Sequence, residues 1–398
     1  MATLSPPHLD TADALAEQVI AWRRHLHARP ELAWEEHGTS GFVAETLAAI
    51  GAGAFVITRP TATSVMARLT GRGAGAGRTI ALRADMDALP IHEENDVAYR
   101  SQVDGKMHAC GHDGHTAMLL GVARSLVATR DQWAGEVRFL FQHAEEQSPG
   151  GAEEMVQAGV MDGVDAVAGV HLWAGLEYGQ IGVLAGPMMA APDNFFITVR
   201  GSGGHAAQPH LCVDPIAIGA QLVTTLQHIV ARRVDPLDPA VVTVTYFRGG
   251  TTTNVIPDSA ELWGTVRTFD PTLRANARTW IEQMTKGVCE AHDATYEFRW
   301  LDGYRPVVND PAVATRLQDV IRREFGDQWL ADMRPSMGGE DFSAFQQKAP
   351  GAFAFVGAGH AASGIVHPHH HPRFQIDERA LSIGVRYLTA AARELLMR

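Results

Sequence analysis

EVRFLFQHAEEQSPGGAEEMVQAGVMDGVDAVAGVHL, residues 136–172, passes from a short apolar segment through a polar loop and a helical pattern into a second apolar segment. EVRFLFQHA reads as a buried strand, GGAEEMVQAG as a helix and DAVAGVHL as another strand, so the stretch is one strand–helix–strand unit. Each strand ends in polar residues: Glu145 and Glu146 follow the first, and His171 closes the second. In open α/β sheets, sites are built at that edge, beyond the carboxyl ends of the strands.

The same alternation extends upstream. Residues 12–28 read as an amphipathic helix and 37–50 as a second that stops at Gly51. TSVMARLT and RTIALRAD read as strands around the glycine-rich turn GRGAGAG, and TAMLLGVARSL as a helix. From about residue 186 the texture changes. DNFFITVRG, a helix over 214–231, AVVTVTYFRGG, SAELWGTVRTF, a helix over 272–291 and TYEFRWL follow in β-α-β-β-α-β order, the ferredoxin-like split motif. The α/β texture resumes near 303 with a helix over 311–325, the strand AFAFVG and a closing helix over 377–396. The expected organisation is a catalytic domain in two parts, 1–185 and 302–398, with an inserted domain at 186–301.

Composition excludes several classes. At 398 residues, the chain exceeds one typical core of roughly 150 residues. Its 46% hydrophobic and 20% charged content is that of an ordinary globular protein, not a disordered one. A formal charge of −12 argues against nucleic acid or an anionic membrane as the main partner. MATLSPPHLD lacks a basic segment followed by an apolar run, and no uncharged apolar stretch approaches the ~18 residues of a membrane span, so a cytoplasmic location is expected. Cys110, Cys212 and Cys289 are odd in number and widely spaced, which suits a reducing compartment.

Chemistry-bearing residues recur after successive strands. ADMDALP (84–90) carries Asp85 and Asp87, CGHDGH (110–115) carries Cys110, His112 and His115, QHAEE (142–146) carries the glutamate pair, and GVH ends at His171. A fifth group is HPHHHP, from His367 to Pro372. Taken singly, each has an ordinary reading. A lone histidine after an apolar strand is usually a satisfied structural residue, an adjacent glutamate pair a solvated turn, and a buried cysteine a small apolar side chain. Four groups of ligand types on one sheet edge make a metal site the better reading.

Thiolate, imidazole and carboxylate donors suit zinc, or manganese, cobalt or nickel, whereas calcium or magnesium would call for oxygen throughout. A single structural zinc needs four ligands. More are available here, spread over about 260 residues, which points to two ions sharing a bridging thiolate or carboxylate. Such a pair polarises a carbonyl and makes hydroxide available near neutral pH, so hydrolysis is the expected reaction. It needs a base that is not itself a ligand, and adjacent glutamates offer one carboxylate for each task.

HLHARPELAWEE (25–36), ALRADMDALPI, MHACGHDGHTA, QHAEE followed by GGAEEMVQAG, GVHLW, GSGGHAAQP, NVIPDSAELWGTVRTFD, MGGEDF and HHPRF occur in this order along nearly the whole chain. The set resembles the aminoacylase/carboxypeptidase family of dinuclear metallohydrolases, in the branch of hippurate hydrolase, N-acetyl-amino-acid deacetylases and plant hydrolases of indoleacetyl-amino acids. The resemblance implies a mixed-sheet α/β catalytic domain with an inserted ferredoxin-like α+β domain that serves as lid and dimerisation surface. It implies that Cys110 bridges two divalent ions, with His112 and His171 on one and Glu146 and His370 on the other. His367, His369 and His371 remain rivals of His370. Glu145 would be the general base and Asp87 the carboxylate that orients a ligand imidazole. In the inserted domain, His205 matches a histidine that reaches a neighbouring subunit's site to stabilise an oxyanion, and Asn254 and Arg267 match residues that bind the substrate carboxylate. Two departures are visible: His143 stands where proline is usual, and Gln375 where aspartate is usual. The implied activity is hydrolysis of N-acyl-L-amino acids by a homodimer or larger homo-oligomer. A carboxypeptidase or dipeptidase with the same site is the alternative, and a metal-storage protein using the His-rich tail would give Glu145 no role.

Overall fold

The structure, a computed structural model, describes residues 15–397. The chain begins with α1 (Ala16–His27) and α2 (His37–Gly51). The part of the first expected helix before residue 15 lies outside the described residues. The second helix runs one residue further than the expected 50, through Gly51, and is closed by Ala52 in the left-handed conformation at φ 41°. There follow β1 (Val56–Thr58), β2 (Val65–Thr70), β3 (Thr79–Asp85), α3 (His112–Ala128), β4 (Glu136–Gln142), α4 (Gly151–Gln157), β5 (Ala166–Glu177) and β6 (Ile181–Gly182). Next come β7 (Ala191–Arg200), β8 (Gly204–His205), α5 (Pro215–Arg232), β9 (Ala240–Gly249), β10 (Val255–Ile256), β11 (Ser259–Thr268), α6 (Pro271–Glu290) and β12 (Thr295–Leu301). The chain closes with α7 (Pro311–Phe325), β13 (Gly351–Gly359) and α8 (Arg379–Leu396).

Among the described residues two compact units result: 15–188 with 308–334 and 341–397, and 189–307 with 335–340. The second differs from the 186–301 insertion read from sequence by a few residues at each end and by the added segment 335–340.

The first unit holds a seven-stranded mixed sheet in the order β1-β2-β4-β3-β5-β13-β6. β3, β4, β5 and β13 are mutually parallel where they pair, and β2 and β6 join antiparallel. β13 is buried along its whole length and β5 through Leu172, the continuous burial of strands covered on both faces. β2 and β3 flank GRGAGAG but do not pair, because β4 lies between them. The glycines instead lie against the segment before β4: Gly71 N–H donates to Gly135 O and Gly73 N–H to Trp133 O. A Cβ on Gly71 would come 2.2 Å from Trp133 O, so only glycine allows that approach. From β3 the chain goes to β4 on one side and then to β5 on the other, so the carboxyl ends of the three strands surround a switch point.

The second unit has an antiparallel sheet in the order β9-β11-β7-β12, covered by α5 and α6, which is the ferredoxin-like arrangement expected from sequence. β7 alternates buried and half-buried residues, as expected of a sheet with one face on a core. Both helices start at an Asp-Pro pair: Asp214 accepts N–H bonds from Ile216 and Ala217, and Asp270 from Leu273. The aspartate satisfies orphan donors while proline occupies a position that needs none. Among the described residues no helix is long and apolar enough to cross a membrane, and all three cysteines are free.

Candidate metal centre

At the switch point the turn from residue 107 into α3 is decisive. Gly111 has φ 96°, a left-handed conformation that glycine adopts without steric cost, and it reverses the chain between Cys110 and the first helical residue, His112. Cys110 Sγ lies 3.4 Å from His171 Nε2 near the end of the buried part of β5. Cys110, His112 and His171 each bring one donor atom to within 4.8 Å of the others, and Cys110, Glu146 and His370 form a second group of the same size. Cys110 belongs to both. Glu145 joins His112 and Glu146 in a third group, with Glu145 Oε2 4.0 Å from His112 Nε2.

The other ring nitrogens fix which atoms face the centre. His112 Nδ1 lies 3.2 Å from Asp87 Oδ1, and Asp87 Oδ2 accepts the backbone N–H of Glu146 at 2.9 Å. His171 Nδ1 donates to Leu172 O at 2.8 Å, leaving Nε2 toward Cys110. His112 Nε2 and Glu146 Oε1 are buried without an aligned hydrogen-bond partner, which is costly in an interior unless a ligand supplies the missing interaction. Burial pushes the Cys110 thiol well up, and Glu146, Glu145 and Asp85 add to it, a field that favours a cation. Burial opposes charge on His112, but Asp85, the hydrogen bond to Asp87 and Glu146 outweigh it and raise the ring to about 10. His171 is shifted well down by burial and then by His115 and His369. These donors fit divalent ions of the zinc type: a thiolate, imidazoles and a carboxylate, with two buried donor atoms unsatisfied.

The His-rich tail sorts itself by geometry. His370, at φ 66°, donates its backbone N–H to Ala109 O at 2.8 Å, and its Nε2 lies 3.2 Å from Glu146 Oε1. Glu146 raises the His370 pKa against burial. His369 instead accepts the Ala174 N–H on Nε2 at 3.1 Å, with Nδ1 3.9 Å from Cys110 Sγ, and burial lowers its pKa to about 3. His367 and His371 stack on each other, their centroids 4.3 Å apart. Gln375 bonds Asn95 at 2.9 Å, and His143 bonds Glu154 at 3.0 Å, so neither departure contributes a ligand.

Residues given no role in the sequence reading also shape the centre. His115 Nδ1 donates to Asp85 Oδ1 at 2.6 Å, and His115 Nε2 accepts the Leu172 N–H at 2.8 Å, so this ring ties β3 to the residue after His171. Asp85 in turn binds Arg83 at 2.7 Å. The signal was available: Asp85 is the last residue of β3 and stands in the same ADMD run as Asp87, beyond which the chain leaves the strand.

In the second unit, β8 pairs with β10, setting Val255 opposite His205, and Ala206 N–H donates to Asn254 O at 3.1 Å, so His205 and Asn254 are neighbours. Both are exposed. His205 Nδ1 accepts the Ala207 N–H at 3.0 Å, which puts the proton of the neutral ring on Nε2. Arg267 is half-buried on β11, its pKa lowered by burial against the opposing effect of Asp193.

The family model "Peptidase family M20/M25/M40" matches residues 81–394. An N-acyl-L-amino acid amidohydrolase of Geobacillus stearothermophilus is 61% identical over 297 residues, 75% of this chain and 79% of its own length. Thermostable carboxypeptidase 2 of Saccharolobus solfataricus is 41% identical, covering 93% of both chains. The crystal structure of the Bacillus subtilis YXEP protein, described as a dinuclear metal binding peptidase from M20 family, superposes with a TM-score of 0.82 at 36% identity, covering 96% of this chain and 99% of that one. On these matches, spanning both ends of the mixed sheet and the motifs around Cys110, the chain belongs to peptidase family M20/M25/M40.

Proposed function

We propose that the protein is a metal-dependent amidohydrolase that cleaves N-acyl-L-amino acids, of acetyl or benzoyl type, to a carboxylic acid and a free amino acid. The observation that carries this reading is the meeting of two donor groups at Cys110 with the Glu145 carboxylate beside them. The similarity to the N-acyl-L-amino acid amidohydrolase of Geobacillus stearothermophilus supports the substrate class.

Cys110, His112 and His171 would hold one ion, and Cys110, Glu146 and His370 the other. Zinc is the preferred metal, with manganese, cobalt and nickel as alternatives; when bound, the pair supplies Lewis acidity toward the amide carbonyl and an acidified water. Asp87 holds His112 with Nδ1 protonated, so that Nε2 is the donor atom. Glu145 accepts a proton from the attacking water as the new C–O bond forms. It then returns that proton to the nitrogen as the C–N bond breaks. His205 presents Nε2–H to the developing oxyanion of a partner subunit's substrate, and Asn254 with Arg267 binds the substrate carboxylate. The protein works as a homodimer or larger homo-oligomer in the cytoplasm.

Apoprotein reconstituted with zinc, manganese, cobalt or nickel should hydrolyse a panel of acetyl- and benzoyl-L-amino acids. A preference for free peptides over this panel would favour the carboxypeptidase reading, which the similarity to thermostable carboxypeptidase 2 supports. Tight metal binding without turnover on either would leave a storage role. Glu145→Gln should abolish turnover and keep wild-type metal content, because the amide cannot take the proton and the residue is not a ligand.

A further inference from the structure

Glu36 ends the motif HLHARPELAWEE and is completely buried. Its Oε1 accepts the backbone N–H of Ala144 at 2.8 Å and of Trp34 at 3.1 Å, and its Oε2 accepts the Thr63 hydroxyl at 2.9 Å. Trp34 has φ 71° and Ala144 φ 49°, two of the five non-glycine residues with left-handed φ among the described residues. Two rare backbone conformations thus converge on one carboxylate oxygen. A left-handed alanine is disfavoured by its own Cβ and persists only where the surroundings dictate it.

Ala144 immediately precedes Glu145 and Glu146. Its carbonyl accepts the Gly151 N–H at 3.0 Å, while the Glu146 N–H is held by Asp87 at 2.9 Å. The Trp34 ring meets the His143 ring edge-on at 4.9 Å. The His143–Ala144 peptide is therefore gripped by one carboxylate, that of Glu36, and the Glu145–Glu146 peptide by another, that of Asp87.

We propose that Glu36 is a positioning residue for hydrolysis: by holding Ala144 in the left-handed conformation it sets the direction of the Glu145 carboxylate. This rests on Glu145 being the general base. Rotation of Ala144 into the ordinary β or right-handed region would redirect the next Cα–Cβ bond, and a misplacement of about 1 Å at a catalytic group costs on the order of a hundredfold in rate. Glutamine can offer the same oxygen to both N–H groups, whereas alanine and methionine cannot.

The test compares Glu36→Ala, Glu36→Gln and the double variants Glu36→Ala/Ala144→Gly and Glu36→Ala/Trp34→Gly, with Glu145→Gln as reference. Each is assayed for kcat, KM, metal content and Tm; Glu36→Met replaces alanine should alanine fail to fold. Glu36→Ala should lower kcat about 10- to 100-fold with KM within about threefold and metal content unchanged. Glu36→Gln should stay within about threefold of wild type. Glycine is free to adopt the left-handed conformation, so Ala144→Gly in the Glu36→Ala background should recover most of kcat, while Trp34→Gly should not. No recovery in a folded, metal-loaded double variant, equal recovery by both glycines, or metal lost in step with kcat overturns the clamp. If those results accompany an inactive Glu145→Gln, the clamp alone falls; turnover surviving in Glu145→Gln removes the general base and the clamp together.

Discussion

The motif MHACGHDGH contains three histidines, and their ring nitrogens separate them. His108 is buried with neither nitrogen bonded, His115 has both engaged, and His112 has one held by Asp87 and one unpartnered. Only the last arrangement suits a ligand that donates through Nε2. Cys110→Ala should therefore lower metal content by at least one ion per chain; retention of two ions by elemental analysis would exclude the bridge. His370→Ala should weaken metal binding more than His367→Ala, His369→Leu or His371→Ala. Asp87→Asn should lower metal affinity or activity by about 10–100-fold, the usual effect of losing a carboxylate behind a ligand histidine. Calorimetric metal titration distinguishes this from a loss confined to turnover.

At the scale of elements, α3 carries the centre at its start and a buried charge network one residue on. Arg23 Nε on α1 lies 2.7 Å from Asp113 Oδ2, an ion pair, and His27 Nδ1 lies 2.8 Å from the same oxygen. Burial raises the Asp113 pKa, but Arg23 and His27 outweigh it and hold the carboxyl well below its usual range. With the folded pKa depressed, this contribution is present above the unfolded value of about 3.9 and is lost as pH falls below it. His27 shifts the other way: burial and Arg23 lower it, but the hydrogen bond and charge of Asp113 together with the hydrogen bond to Glu93 outweigh them, so its contribution is full below about 6.5 and fades as pH rises through the folded value. Asp113→Asn should lower the denaturation midpoint at pH 7 and flatten its dependence on pH between about 5 and 3. Parallel wild-type and variant curves there would exclude Asp113 as the acid-sensitive group. By contrast Asp310, which caps α7 through Val313 N–H at 2.9 Å, is a cap without chemistry; Asp310→Ala should cost about 1 kcal/mol in stability and leave kcat unchanged.

The donor groups around Cys110 lie in one unit and the proposed substrate residues His205, Asn254 and Arg267 in the other. The claim that His205 serves a partner subunit has a direct test. Inactive Glu145→Gln and His205→Ala chains are unfolded together in equal amounts and refolded with metal. Random pairing makes about half the dimers mixed, each with one intact site, so roughly a quarter of wild-type activity should return. If His205 serves its own chain, no site is whole and nothing returns. Arg267→Ala should weaken kcat/KM for an N-acyl amino acid at least about tenfold, a charge-assisted hydrogen bond being worth about 1.5–3 kcal/mol, and leave the amidated substrate nearly unaffected. Equal losses on both would make Arg267 structural.

Local pattern alone determined the helices, most strand positions and the ferredoxin-like order, because burial periodicity and Asp-Pro starts are written within a dozen residues of the element they specify. It also placed Asp85, Asp87, Glu145, Glu146 and His171 at one sheet edge, with the CGHDGH motif among the same ligand types, while the ligand roles of Cys110 and His112 came from the family resemblance. Pairing was another matter. The insertion of β4 between β2 and β3 depends on a crossover and on contacts between the glycine turn and residues 133–135, which no local window contains. The resemblance named His370 and left its neighbours as rivals; what separates their surroundings is tertiary, since the Ala109 carbonyl holds the His370 amide while the Ala174 amide occupies Nε2 of His369. Glu36 and Ala144 lie 108 positions apart, and their hydrogen bond exists only because folding buries a carboxylate where a loop amide must be satisfied.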